Sequence, residues 1–229
     1  MIKKAIFLVV FVLFGVTGFS QNFNFSLDYE VSYFLPKSND TINIKVGNEG
    51  QYLYTDSKKV AESFKSSFRR FGSRDKDAMT TAKLFIDMST SFMLMQMTID
   101  DNIIWGHVDL TTFMNRGRPI DAPEEMTLVK KATTEIVQVN GKEYRVYEIA
   151  PNNKPDDVLY AAFDDSYDLN YNEHFEKLVS GAAGGMFKID IPNGVLVYAR
   201  DKKGNEIIRL LEVKENPLKG TVDLKFTLE

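Results

Sequence analysis

The chain has 229 residues, with 28 Lys and Arg against 32 Asp and Glu, a formal charge of −4, and no cysteine. Mild acidity argues against nucleic acid as the main partner. A chain without cysteine has no disulfide, thiolate nucleophile, Cys-rich zinc site or lipid-modified N-terminal Cys, and its length suits about one domain that buries roughly 70% of its unfolded surface.

In chain order, Lys3 and Lys4 followed by the apolar run Ala5 to Val16 and the small residues of Gly18-Phe19-Ser20 predict a signal peptide over 1–20, cleaved after Ser20. The run is shorter than the ~20 residues that span a bilayer. The mature chain, 21–229, is then a single periplasmic or secreted domain with no stable membrane span. Its first stretch, Asn22 to Tyr33, alternates strictly, with Phe23, Phe25, Leu27, Tyr29, Val31 and Tyr33 on one side and polar residues on the other. That is a strand with one face on a core and one in water, as antiparallel sheets allow. Pro36 and the KSND stretch turn into Thr41 to Val46, and Asn48-Glu49-Gly50 turns into Gln51 to Tyr54.

The period then changes. Val60, Phe64, Phe68 and Phe71 stand at i, i+4, i+8 and i+11, after the capping candidates Thr55-Asp56-Ser57 and before Gly72, which predicts an amphipathic helix over 60–71. Lys58, Lys59, Lys65, Arg69, Arg70, Arg74 and Lys76 make this segment basic. A solvated helix face is the simpler reading of that charge, and a docking patch through Lys65, Arg69, Arg70 and Arg74 is the alternative.

Meander strands follow at Lys83 to Met88, Phe92 to Ile99 and Ile103 to Leu110. In SFMLMQMT, Met93, Met95 and Met97 share one face, and Phe92 and Leu94 the other. Methionine fills irregular core gaps, and it also lines promiscuous apolar sites because its side chain is flexible and polarizable. The stretch 111–123 reads as a loop and Pro123 to Lys131 as a short helix. Asn140-Gly141 signals a tight hairpin between Ile136–Val139 and Tyr144–Ile149. Val158 to Phe163 is another strand, and an acidic segment, 156–176, that has no Lys or Arg leads into a second helix, Asn172 to Ser180. The Gly181 to Gly185 run reads as a connector. Strands at Phe187–Ile191, Val195–Ala199 and Glu206–Val213, a turn at Asn216 to Gly220, and a last alternating strand from Thr221 complete the pattern. Opposite charge suggests that the basic 58–76 and acidic 156–176 segments lie together.

No catalytic constellation emerges, so a non-enzymatic protein without a cofactor is expected. The two histidines are His107 and His174. A metal site at Glu173 and His174 is disfavoured, because neighbours in a helical sequence do not face the same way. The run DDSYDLNYNE fails as a calcium loop: counted from Asp168, position six is Glu173 and position twelve is Val179. No phosphate loop or nucleophile elbow is present.

The long opening strand, the amphipathic helix behind a hairpin, and then GKEYRVYEI, PNGVLVY and IIRLLEVK in that order resemble the domain of unknown function 4412 family. That family in turn resembles periplasmic lipoprotein carriers of the LolA and LolB type. The resemblance implies a mainly β (α+β) fold: a curved antiparallel sheet or incomplete barrel of roughly ten strands, its concave face covered by two or three helices. It implies an apolar cavity for a lipid or acyl chain, with Phe92, Met93, Leu94, Met95, Met97 and Trp105 as wall candidates and Phe64 and Phe68 on a covering helix. The alternative is an envelope protein-interaction module with a filled core, engaging a partner through its charged helix or an edge strand.

Overall fold

The computed structural model describes residues 21–59, 79–99, 102–110, 126–176, 180 and 187–224. Twelve strands form one sheet: β1 (Gln21–Leu35), β2 (Asp40–Gly47), β3 (Tyr52–Thr55), β4 (Met79–Asp87), β5 (Phe92–Ile99), β6 (Asn102–Asp109), β7 (Met126–Val139), β8 (Lys142–Pro151), β9 (Leu159–Asp164), β10 (Phe187–Asp190), β11 (Val195–Asp201) and β12 (Glu206–Leu224). Their order is β10-β7-β8-β9-β11-β12-β1-β2-β3-β4-β5-β6, an open sheet with β10 and β6 at its ends. Strand pairs β1–β2, β2–β3, β3–β4, β4–β5, β5–β6, β7–β8, β8–β9, β9–β11 and β11–β12 are antiparallel, and β10 with β7 is parallel.

The mainly β, antiparallel character matches the alternation in the sequence, and several details do not. There are twelve strands rather than ten. The helices described over their whole length are one four-residue α-helix, α1 (Tyr171–His174), and one 3-10 turn (Asn48–Gly50), and residues 58–59, 110, 176 and 180 are also helical. The helix expected over 60–71, with Phe64 and Phe68, lies outside the described residues, as do Lys65, Arg69, Arg70 and Arg74. So do the connector at 181–185 and the loop expected at 111–123. Of the second helix, residues 172–174, 176 and 180 are helical within the described part. The helix expected over Pro123 to Lys131 is overturned, because 126–131 are the first residues of β7. There Leu128 to Ala132 pair with Pro151 to Tyr147 of β8, while Met126 to Val129 pair with β10. Ladder hydrogen bonds on both sides of the strand outweigh a weak local helix preference. The expected turn at Asn216 to Gly220 is likewise part of β12, which continues through exposed Pro217.

The chain divides into two compact units, Leu27–Pro217 and a smaller one that holds the described residues 21–26 and 218–224. In the smaller unit the Thr221 hydroxyl donates to Asn24 Oδ1 at 2.7 Å. The absence of a side chain at Gly220 admits the Phe25 ring, because a Cβ there would stand 2.4 Å from its Cζ.

In the larger unit the alternation of β1 does what it predicts: Leu27, Tyr29, Val31 and Tyr33 are all buried. Tyr29, Val31 and Tyr33 join Val46, Val139, Val146, Ala162, Leu169, Val195, Val197 and Leu210 in the main core. A second cluster, Ile149, Ala161 and Ala199, uses the opposite sheet face. The adjacent alanines Ala161 and Ala162 let β9 bury both sides. At Asn140-Gly141 both residues have positive φ (52° and 78°), as a two-residue hairpin turn requires. The Asn140 amide also donates to Leu211 O at 3.0 Å, tying the hairpin to β12.

The suggested pairing of basic and acidic segments finds other partners among the described residues. Lys59 meets Asp40 at 2.8 Å, while the acidic stretch meets Lys142 (3.7 Å to Asp164) and Lys202 (3.2 Å to Asp156). No described helix is long and apolar enough to cross a membrane.

Candidate functional site

Two places in the larger unit gather the residues singled out by the sequence. The first is the sheet end made of β4, β5 and β6. Residues of β5 alternate, so Met93, Met95 and Met97 share a face, and the register sets each between two partners: Ile86 and Val108, Leu84 and Gly106, Ala82 and Ile104. Met93, Met95, Met97, Ala82, Leu84 and Leu110 form one buried cluster, with Ile86 and Val108 against it. Met95 is 1% exposed. Of the two residues across from it, Gly106 is small and Leu84 is not, and a Cβ built on Gly106 would lie 3.6 Å from Met95 Cε, an ordinary contact. Gly106 beside Met95 and Ala82 beside Met97 give each of these two flexible, unbranched side chains one small neighbour.

The other face of the same strands holds the remaining candidates, and it is more open. Leu94 is buried beside buried Phe85, and Phe92 is half-buried with its ring 4.2 Å from the His107 ring. Trp105 and Ile103 are 57% and 58% exposed. The eight candidates therefore do not form one wall: Met93, Met95 and Met97 are on one side of the sheet, Phe92, Leu94 and Trp105 on the other, and Phe64 and Phe68 are outside the described residues.

The second place is the corner where the 3-10 turn, the loop after β9, α1 and the start of β11 meet. The Asn170 amide N–H donates to Glu49 O at 2.8 Å, and the Gly194 N–H donates to Leu169 O at 2.9 Å. Leu169 fills the space over Gly50, with its Cγ 3.1 Å from where a Gly50 Cβ would lie. Asn170 caps α1: its Oδ1 accepts from the Glu173 N–H at 3.1 Å, and its Nδ2 donates to Glu173 Oε2 at 2.9 Å. Tyr171 lies in an aromatic run, 5.7 Å from the Phe163 ring and 5.1 Å from the Phe175 ring. Burial raises its hydroxyl pKa well above that of a free tyrosine, only partly offset by a hydrogen bond with the Leu196 backbone. Tyr29 has a hydroxyl raised in the same way, chiefly by burial, and donates to Asp168 O at 3.0 Å. These groups stay protonated and structural at any physiological pH.

The corner also brings Glu49 beside Glu173 and His174, with one possible ligand atom from each lying within 4.8 Å of the others. Local sequence did not signal this, because Glu49 comes from the far side of the chain. Only the pairing of the 3-10 turn with the α1 loop supplies it. Asp164, in contrast, is a carboxylate fully engaged in structure: it accepts from the Tyr144 hydroxyl at 2.9 Å and the Ser166 N–H at 3.1 Å.

No family model and no curated protein matches the chain. Among solved structures, the chain is similar to PNGF-II in its C2 and P21 crystal forms, each with a TM-score of 0.39 and 10% identity over 83% of this chain. The chain spans 28% of the length of those proteins.

Proposed function

We propose that the protein is exported, is not an enzyme, and binds a lipid or another hydrophobic ligand against the methionine face of β4–β6. The observation that carries this reading is the row Met93, Met95 and Met97, in which Met95 faces Gly106 and Met97 faces Ala82. Unbranched side chains with one small neighbour, as Met95 and Met97 have, can swing aside at low rotamer cost and close on an acyl chain. Each Å² of apolar surface so covered contributes about 25 cal/mol. The leader-like first 20 residues fit the same reading.

Native mass spectrometry of the exported protein, with solvent extraction, tests it: a lipid should accompany the chain, or a fluorescent fatty acid should titrate in. Gly106→Val places a β-branched side chain where the first carbon already fits, in a strand that favours such residues. It should lower fatty-acid affinity by roughly tenfold or more, equivalent to about 1.4 kcal/mol, with an unchanged or raised melting temperature. A bare protein mass together with no uptake would end the proposal.

A second reading rests on β6, the last strand in the sheet order, which presents exposed Trp105 and Ile103. An aromatic anchor beside an edge strand suits docking of an envelope protein by strand addition. Trp105→Lys would abolish such binding and leave fatty-acid uptake intact, which separates the two readings.

A further inference from the structure

We propose that Glu49, Glu173 and His174 form a binding site for a divalent transition-metal ion, with zinc the best match to the donor set. The inference is independent of the ligand reading, since it concerns the corner at the 3-10 turn rather than the methionine face.

The imidazole gives the first reason. His174 is only 7% exposed, and among the described residues its ring makes no hydrogen bond or ion pair. A buried polar group without a partner is costly, and native folds retain few of them. A ring nitrogen that instead lies within 4.8 Å of a carboxylate oxygen on each of two glutamates has a ready use.

The carboxylates give the second. Glu49 and Glu173 are exposed, so side-chain rotation is open to both. Tetrahedral zinc with bonds of about 2.0–2.2 Å needs its ligand atoms roughly 3.4 Å apart. Movement of about 1 Å by the two glutamates closes the observed spacing while the buried ring stays in place. Asn170 already orients Glu173 through one carboxylate oxygen, leaving the other to face the ion. Such support from a neighbouring residue is typical of metal ligands. One imidazole and two carboxylates with room for water are ligands for zinc or a neighbouring first-row ion. Calcium is disfavoured, because it takes six or more oxygen ligands and does not select imidazole.

A bound ion would also clamp two segments otherwise joined at this point by the Asn170–Glu49 backbone bond. Metal binding should therefore stabilise the fold as well as occupy the site.

The test uses the protein without a polyhistidine tag, stripped with chelator and titrated with Zn2+ by calorimetry and by thermal melting. One ion per chain with micromolar or tighter affinity, and a melting temperature that rises by several degrees, are expected. Because His174 is buried and its replacement can impair folding, the deciding variant is the exposed pair Glu49→Gln with Glu173→Gln. It should melt within about a degree of the stripped wild type and bind Zn2+ roughly 100-fold more weakly. His107→Ala should bind as wild type does. Absence of saturable binding below millimolar Zn2+ would overturn the proposal, and so would a double glutamine variant that binds as tightly as wild type.

Discussion

Gly194→Ala is expected to destabilise the protein by at least about 3 kcal/mol, seen as a large drop in the urea midpoint, because two separate penalties meet at this residue. The first is conformational: Gly194 has φ of +107°, where a side chain is strained. The second is steric. An added Cβ would lie 2.3 Å from Asp164 O, 2.7 Å from Asp164 C and 2.9 Å from Asp165 Cα. All three are backbone atoms, and those of Asp164 belong to β9, whose end residue pairs with Val195 of β11. Relief thus requires moving a strand rather than a rotamer, and the Gly194–Leu169 hydrogen bond would move with it. The control is Gly141→Ala. Its φ is also positive, but nothing lies within 4 Å of the added carbon, so it should cost only about 1–2 kcal/mol. Equal midpoints for the two variants would show that the close approach to Asp164 does not matter.

The same comparison explains how far the fold was legible. Alternation in β1 fixed which residues face the core, because side chains on a strand must alternate whatever the partner. The Asn140-Gly141 hairpin was legible because only a few residue pairs accept positive φ at both positions. Partner identity has no such local signature. Nothing in FKID marks β10 as parallel to β7, and nothing in Met126 to Lys131 announces strands on both sides of it. Asn216-Pro217 carries the residue types of a turn, yet the chain stays extended there. Proline forbids a donated ladder bond without forbidding extended backbone, and the Asn216 side chain donates to Glu30 Oε2 at 3.3 Å.

The candidate sites divide along the same line. The methionine row was visible because its three members lie on one strand at period two. That Phe92, Leu94 and Trp105 occupy the opposite face follows from the same period once register places Trp105 against Gln96. The Glu49–Glu173–His174 cluster was not visible. Facing rules for helices count against Glu173 and His174 as a pair, but they apply to side chains along a continuous helix. α1 spans four residues and ends at His174, and a flexible Glu173 side chain there reaches the ring nitrogen's surroundings. The third ligand arrives through long-range topology, the one thing residue spacing does not encode.

Asp164→Ala should cost about 3 kcal/mol at neutral pH, and both it and Asp164→Asn should flatten the loss of stability in acid. The carboxyl is 6% exposed and accepts from the Tyr144 hydroxyl, from the Ser166 hydroxyl and amide, and has Lys142 at 3.7 Å. Burial by itself raises its pKa. The Ser166 and Tyr144 hydrogen bonds and the Lys142 charge together outweigh burial and leave the group below the ordinary carboxylate value. Because the folded pKa lies below the unfolded one, this stabilisation is full above an unfolded pKa of about 3.9 and is lost as pH falls through the folded value. Alanine leaves the Tyr144 hydroxyl and the Ser166 amide without an acceptor, whereas asparagine still offers one carbonyl oxygen and should cost less at neutral pH. Asn nevertheless has no proton to take up, so its urea midpoint should fall less steeply than that of wild type between about pH 5 and 2. Asp201 is also shifted down by its hydrogen bonds with Asn205 and Lys203, but it is present in both proteins and cancels in the difference. An Asp164→Asn curve parallel to wild type throughout the acid range would mean that Asp164 has the same pKa folded and unfolded, and that its bonds merely replace water. Tyr144→Phe supplies the complementary measurement: if the hydroxyl helps hold Asp164 ionised, its removal should move the acid transition to higher pH, with no such movement once Asp164 is already Asn.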